Sequence, residues 1–225
     1  MMTRRAFTLI ELLIVVSIIG IIAAIAVPNF MDARTRALIA NGYADMNAIK
    51  TSTSAFMLDN NVMLVDFYDD DTEMGIKRII ERFNNVGLPE NPSSWRSAKD
   101  ILLPLTSPIS YLSKIPRAPF PQLYYHNNYN LDMPLTENIA QFEYWDNDPL
   151  INAGIKSMTS DYDPSKIDAL VGGSFPEGSF LVMCCGPSKE DWANGAPSAW
   201  HYRVLPYDTS NGLYSRGVLF TCSGP

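Results

Sequence analysis

Residues 4–28 read RRAFTLIELLIVVSIIGIIAAIAVP: two arginines, a long apolar run, and one carboxylate, Glu11, near the start of that run. From Phe7 to Val27 Glu11 is the only ionisable residue, and from Leu12 to Val27 there is none. A helix over 7–27, rising about 1.5 Å per residue, spans roughly 30 Å, the thickness of a bilayer's hydrocarbon core. Arg4 and Arg5 lie where the positive-inside bias places cytoplasmic charge. An acidic side chain at mid-helix costs about 2.5 to 3.5 kcal/mol even on insertion scales, so Glu11 requires a partner.

Three readings compete for the segment. As a secretory signal it offers Ala24-Ile25-Ala26 as a small-x-small cleavage site, which gives a mature chain starting at Val27 and a secreted or membrane-anchored binding domain. Glu11 inside the apolar region and Pro28 just beyond the cut oppose that reading. As a plain single-pass anchor the run explains its length and its arginines but leaves Glu11 alone.

The third reading is a resemblance. RRAFTLIELLIVVSIIGIIAAIAVP resembles the class III signal and mature N-terminus of type IV pilin-like proteins, especially the major pseudopilin of type II secretion systems. The likeness rests on the basic leader, Phe7, the Thr-Leu-Ile-Glu-Leu sequence, Gly20 and Pro28. It implies cleavage by a prepilin peptidase between Ala6 and Phe7, with N-methylation of Phe7; Ala6 stands where the family usually has Gly. Glu11 would pair with the new α-amino group of Phe7, on a neighbouring subunit or its own chain, and so become an assembly determinant. Gly20 and Pro28 mark the segment that adapts during filament packing in that family.

By the same resemblance, the chain would be a single-pass bacterial inner-membrane protein with its C-terminal domain periplasmic. It would polymerise with copies of itself and with other pseudopilins on an inner-membrane assembly platform. The resulting periplasmic pseudopilus drives protein export. A type IV pilus subunit serving adhesion, motility or DNA uptake shares the same N-terminus and remains an alternative.

Beyond Pro28, Leu38, Ile39, Gly42, Met46, Ile49, Thr53, Phe56 and Met57 recur at three- and four-residue steps, which extends the helix to about Leu58. Asp59-Asn60-Asn61 supplies a stop. Pro28 removes one backbone donor and Gly20 lowers helix propensity, so the segment between them is expected to bend or loosen. The organisation is then a leader, 1–6; an N-terminal helix, 7–58, with its transmembrane part at 7–27; and an extracytoplasmic domain, 59–225.

In that domain Asp71 or Thr72 reads as the N-cap of a helix through Ile76, Ile79, Ile80 and Phe83. The cluster Asp66, Asp69, Asp70, Asp71 and Glu73 lacks the EF-hand offsets. A second short helix is expected near Ser97 to Leu103, before Pro104, Pro108, Pro116, Pro119 and Pro121 break the chain into turns. Short strands are expected at Leu123 to His126, Gln141 to Trp145, Ser179 to Cys185, Trp200 to Leu205 and Gly217 to Thr221, in antiparallel meander pairing. The fold class is α+β: a long N-terminal α-helix packed on a small C-terminal antiparallel sheet. Residues 105–120, LTSPISYLSKIPRAPF, and 207–220, YDTSNGLYSRGVLF, resemble a Leu-Thr-x-Pro-x-x-Tyr-Leu stretch and a closing hairpin of pseudopilin-like proteins.

Composition limits the chemistry. A net charge of −7 and the lack of a Lys/Arg cluster beyond the leader argue against a nucleic-acid footprint. His126 and His201 are the only histidines and neither stands in a nucleophile or metal motif, so no enzyme is expected. Cys184, Cys185 and Cys222 form no CxxC, and the sequence leaves their pairing open. Trp95, Trp145, Trp192 and Trp200 read as core. Major pseudopilins hold calcium between late strands; the comparable stretch here, CCGPSKEDW, offers Ser188, Glu190 and Asp191 as oxygen donors, with solvated loop carboxylates as the default. No other cofactor is implied.

Overall fold

The computed structural model describes residues 8–66, 72–88, 96–120, 142–150, 175–188, 206–215 and 217–223. The strands expected at Leu123 to His126 and Trp200 to Leu205 lie outside them. The chain divides into two units, Met1–Ala37 and Leu38–Pro225, and helix α1, Leu9–Asn60, runs from the first into the second.

α1 extends two residues past the expected Leu58. Its end is set by Asn61, which takes a left-handed φ of 52° while its N–H donates to the Met57 carbonyl at 2.8 Å. Asn tolerates that conformation better than most residues, so the Asp-Asn-Asn signal acts through its last residue. The segment between Gly20 and Pro28, expected to bend or loosen, stays helical. The cost of Pro28 is one missing donor and one crowded carbonyl, and the helix continues on both sides of it.

In the second unit the buried stripe of α1 is Ile39, Gly42, Met46, Ile49, Ser52, Thr53 and Phe56. The helical period therefore places one face of residues 39–56 toward a core. Gly42 permits the closest approach: a Cβ there would lie 3.0 Å from Pro119 Cγ and 3.2 Å from Leu219 Cδ1. Phe56 meets Phe83 and Tyr111 edge-on, with ring centroids 5.4 and 5.6 Å apart.

Helix α2, Glu73–Arg82, starts at Thr72, whose hydroxyl accepts the Gly75 N–H at 2.9 Å. Helix α3, Ala98–Leu102, is shorter than expected. Ser97 and Asp100 form its capping box, and Pro104 turns the next three residues into a 3₁₀ turn, Leu103–Leu105.

Three antiparallel strands form one sheet in the order β1 (Glu143–Asp146), β2 (Phe180–Cys185), β3 (Val218–Cys222). Tyr144 pairs with Val182 and Cys184 with Leu219, so one face carries Tyr144, Phe180, Val182, Cys184 and Leu219 into the core that α1 shares. Every residue of β2 is buried, so both faces of the central strand are covered. A long N-terminal helix with a small antiparallel sheet is the α+β arrangement read from the sequence.

One element departs from expectation. Residues 207–220 do not close as an antiparallel hairpin: Asp208 accepts the Ser210 N–H at 2.8 Å and caps a 3₁₀ turn, Thr209–Asn211, and Pro206 meets Val218 in a parallel bridge. A two-residue hairpin of type I′ needs positive φ at both central residues; here Gly212 has it, at 105°, and Asn211 does not. Gly186 and Gly217 then pack backbone on backbone, the Gly186 N–H donating to the Gly217 carbonyl at 3.1 Å, where a Cβ on Gly186 would lie 2.3 Å from that oxygen.

Candidate functional site

α1 opens with a reciprocal cap. The Thr8 N–H and hydroxyl both donate to Glu11 Oε2, at 2.8 and 2.7 Å, and the Glu11 N–H donates back to Thr8 Oγ1 at 3.3 Å. The pattern Thr-x-x-Glu at a helix start is the capping box, and it satisfies donors that the first turn leaves open. A carboxylate in the first turn also faces the positive end of the helix dipole. Glu11 thus has a partner within its own chain. The Thr8–Glu11 spacing carries this signal in the sequence.

From Leu9 to Met31 every residue of α1 is exposed, including the large side chains of Ile10, Leu13, Ile18, Ile22 and Phe30. Among the described residues, no side chain covers this run. The helix is long and apolar enough to cross a membrane. Ser17, a polar residue within the run, donates to the Leu13 carbonyl at 2.7 Å and so needs no outside acceptor. Gly20 has open space on its outer side, where a Cβ would meet nothing within 4 Å beyond its chain neighbours and the backbone of its own helix, and Pro28 lies within the helix. Ala6 and Phe7 lie outside the described residues.

The Leu-Thr-x-Pro-x-x-Tyr-Leu stretch works as a clip on the end of α1. The N–H groups of Tyr111 and Leu112 both donate to the Leu105 carbonyl at 2.9 Å; Ser52 Oγ donates to the Tyr111 carbonyl at 3.0 Å, and the Tyr111 hydroxyl donates to Asp59 at 2.9 Å.

A buried polar network stands apart from these features. Asp148 pairs with Arg78, both side chains nearly inaccessible; the Asp146 N–H donates to Asp66 at 3.3 Å, and the Asp148 N–H to Asp146 at 3.1 Å. The Tyr144 hydroxyl lies near the Asp146 carboxylate without completing a hydrogen bond, and burial, then Asp146, Asp66 and Asp148, push its pKa well above the ordinary value. Arg96 is 2% exposed and spends its guanidinium on the carbonyls of Gly87 and Val65, both at 2.7 Å. Asp66 belongs to the acidic cluster of the sequence; its burial has no local sequence signal, because its contact lies 80 residues away.

Ser188 sits half-buried in the turn after β2, while Glu190 and Asp191 lie outside the described residues, as do Asp69, Asp70, Asp71, His126, His201, Trp95, Trp192 and Trp200. Among the described residues no three His, Cys, Asp or Glu side chains stand close enough to share a metal ion. Trp145 is buried on β1, its indole N–H donating to Glu143 at 3.3 Å. The three cysteines are not bridged. Cys222 faces Leu181, three residues from Cys184, a separation of about 10 Å along the strand that no disulfide reaches.

Comparison with known proteins bears on the same N-terminus. The Prokaryotic N-terminal methylation motif matches residues 1–27. Type II secretion system core protein G of Pseudomonas aeruginosa is 31% identical over 123 residues, 52% of this chain and 79% of that protein. The chain belongs to the type IV pilin-like family. Fimbrial protein EcpB of Eikenella corrodens is 35% identical over 94 residues, 42% of this chain, and a fimbrial protein of Pseudomonas aeruginosa is 37% identical over 76 residues, 34% of this chain. The matches span 57% and 49% of those two fimbrial proteins, about half their length. No solved structure gives a significant match. The pilins and pseudopilins it resembles are structural subunits.

Proposed function

We propose that this pilin-like chain is a subunit of a type II secretion pseudopilus. A prepilin peptidase cuts between Ala6 and Phe7 on the cytoplasmic side and methylates the Phe7 amino group. α1 crosses the inner membrane once, the domain lies in the periplasm, and the assembly platform draws subunits into a filament through their apolar helices. The observation that carries this over a pilus role is the reach of the core protein G match: 123 residues and 79% of that protein, against 94 residues and 57% of fimbrial protein EcpB.

In this role the apolar surface of residues 9–31 exchanges lipid for neighbouring helices. The Thr8–Glu11 box keeps the carboxylate satisfied at the cytoplasmic edge of the membrane, and the new amino group of Phe7, on the same or an adjacent subunit, supplies the countercharge on assembly. Gly20, with open space on its outer side, allows close helix approach in the filament.

A type IV pilus subunit is the second reading, favoured by the higher identity of the fimbrial relatives over their shorter matches. Mass spectrometry of the amino-terminal peptide from membranes, combined with deletion of the chain, tests both. A methylated Phe7 terminus with loss of protein export and no change in surface filaments is the expected result. Loss of surface filaments with export intact assigns the pilus role, and a Val27 terminus removes the filament reading altogether.

A further inference from the structure

On the reading of α1 as a membrane-crossing helix, we propose that Arg34 and Arg36 bind the phosphates of phospholipid headgroups in the leaflet that faces the domain, and so fix the depth of the helix. The charge-free run extends from Leu12 to Met31, bracketed by Glu11 and Asp32. Its nineteen rises give about 29 Å, a match to the roughly 30 Å hydrocarbon core, so the membrane boundary falls between Met31 and Asp32. Arg34 and Arg36 then sit about 4.5 and 7.5 Å beyond Met31 along the axis, at headgroup depth.

Both arginines are exposed, whereas Asp32 is half-buried. Among the described residues the ion pairs are Lys77–Glu81 and Arg78–Asp148, so neither arginine has a carboxylate partner there. Arg78 and Arg96 show what a protein-directed guanidinium looks like in this chain: buried, and bonded to a carboxylate or to carbonyls. Arg34 and Arg36 are the reverse.

Two residues apart on a helix, they point about 200° from each other and meet different lipids. Phe30, 68% exposed, lies one turn before Arg34 on the same face, at the edge of the hydrocarbon. A guanidinium fork matches phosphate oxygens in pairs, and the arginine stem reaches from the helix surface to the headgroup layer.

The test is native mass spectrometry of the full-length chain in detergent micelles titrated with phosphatidylglycerol. Arg34→Gln with Arg36→Gln is expected to weaken lipid retention about fivefold for each arginine. The double lysine variant, with charge but no fork, is expected to fall between. Equal retention by all three overturns the proposal. Displacement of lipid by inorganic phosphate at matched ionic strength also overturns it, since the site would then be one for free anions. A glutamine variant that keeps its lipid but fails to enter filaments overturns it as well, and assigns the arginines to a neighbouring subunit. Alkaline carbonate extraction of wild-type membranes reads the underlying premise separately: release of the chain removes the membrane-crossing reading, whereas retention with arginine-independent lipid binding removes the headgroup contact alone.

Discussion

Thr8 and Glu11 hold each other at the first turn of α1, the threonine N–H and hydroxyl both donating to one carboxylate oxygen at 2.8 and 2.7 Å. Glu11 therefore has two separable roles, a cap within the chain and the proposed countercharge to an amino terminus. Thr8→Val removes the cap and leaves the charge. It is expected to cost about 1 kcal/mol of helix stability at the amino end, read as faster amide exchange over residues 9–12, with the cleavage site unchanged. Glu11→Ala removes both, and the chain is expected to insert and be cleaved yet stay out of filaments. Normal incorporation of the alanine variant would sink the pairing role.

Gly20 and Gly42 sit in the same helix in opposite surroundings. A Cβ on Gly42 must displace Pro119 or Leu219, and one on Gly20 meets nothing. Alanine gains up to about 1 kcal/mol of helix propensity at either site. At Gly42 overpacking costs about 1–3 kcal/mol, so Gly42→Ala is expected to be neutral to destabilising and Gly42→Leu clearly destabilising. Gly20→Ala should stabilise the free subunit and impair filament formation. Urea midpoints of detergent-solubilised variants check the stabilities; a Gly42→Leu midpoint equal to wild type would mean that the helix does not need its close approach to the sheet.

Much of this architecture is legible because its signals are local. The three- and four-residue recurrence from Ile39 to Phe56 marks the buried stripe, Thr72 and Ser97 cap the helices they precede, and β2 and β3 lie within a residue of their expected bounds. The turn at 207–215 departs from the hairpin that the resemblance implies because Asp208 accepts the Ser210 N–H and caps a 3₁₀ turn instead. The Asp66–Asp146 contact and the Arg78–Asp148 pair have no sequence signal. They depend on segments 80 and 70 residues apart being brought together by the core, and burial inverts the ordinary expectation for aspartate.

The Arg78–Asp148 pair gives the largest expected stability effect. Asp148 is buried and the Arg78 side chain is nearly inaccessible, and Asp148 also accepts the Leu150 N–H at 2.8 Å. Arg78→Met leaves a carboxylate in the interior with its countercharge gone, at a cost of about 3–5 kcal/mol. Adding Asp148→Asn removes the charge while keeping an acceptor, and the double variant is expected to recover a large part of that loss. Chemical denaturation of the four members of the cycle measures the coupling; additive losses would show that the pair contributes no more than its separate contacts.

Tyr144 makes an alkaline prediction. Burial, then the carboxylates of Asp146, Asp66 and Asp148, raise its pKa well above the ordinary value, so the folded chain holds the phenol proton more tightly than the unfolded chain does. The stability this confers is complete below the unfolded tyrosine value of about 10, and it is lost as pH rises beyond it. Tyr144→Phe removes that alkaline loss. It also removes a hydroxyl that lies beside the Asp146 carboxylate without a well-aligned hydrogen bond, so at neutral pH the variant is expected to stay within about 1 kcal/mol of the wild type. Denaturation midpoints from pH 7 to 11 should show the gap between phenylalanine and tyrosine widening above pH 10. Parallel profiles would place the titrating group elsewhere, and a phenylalanine variant weaker by more than that at pH 7 would mean that the hydroxyl is bonded in solution.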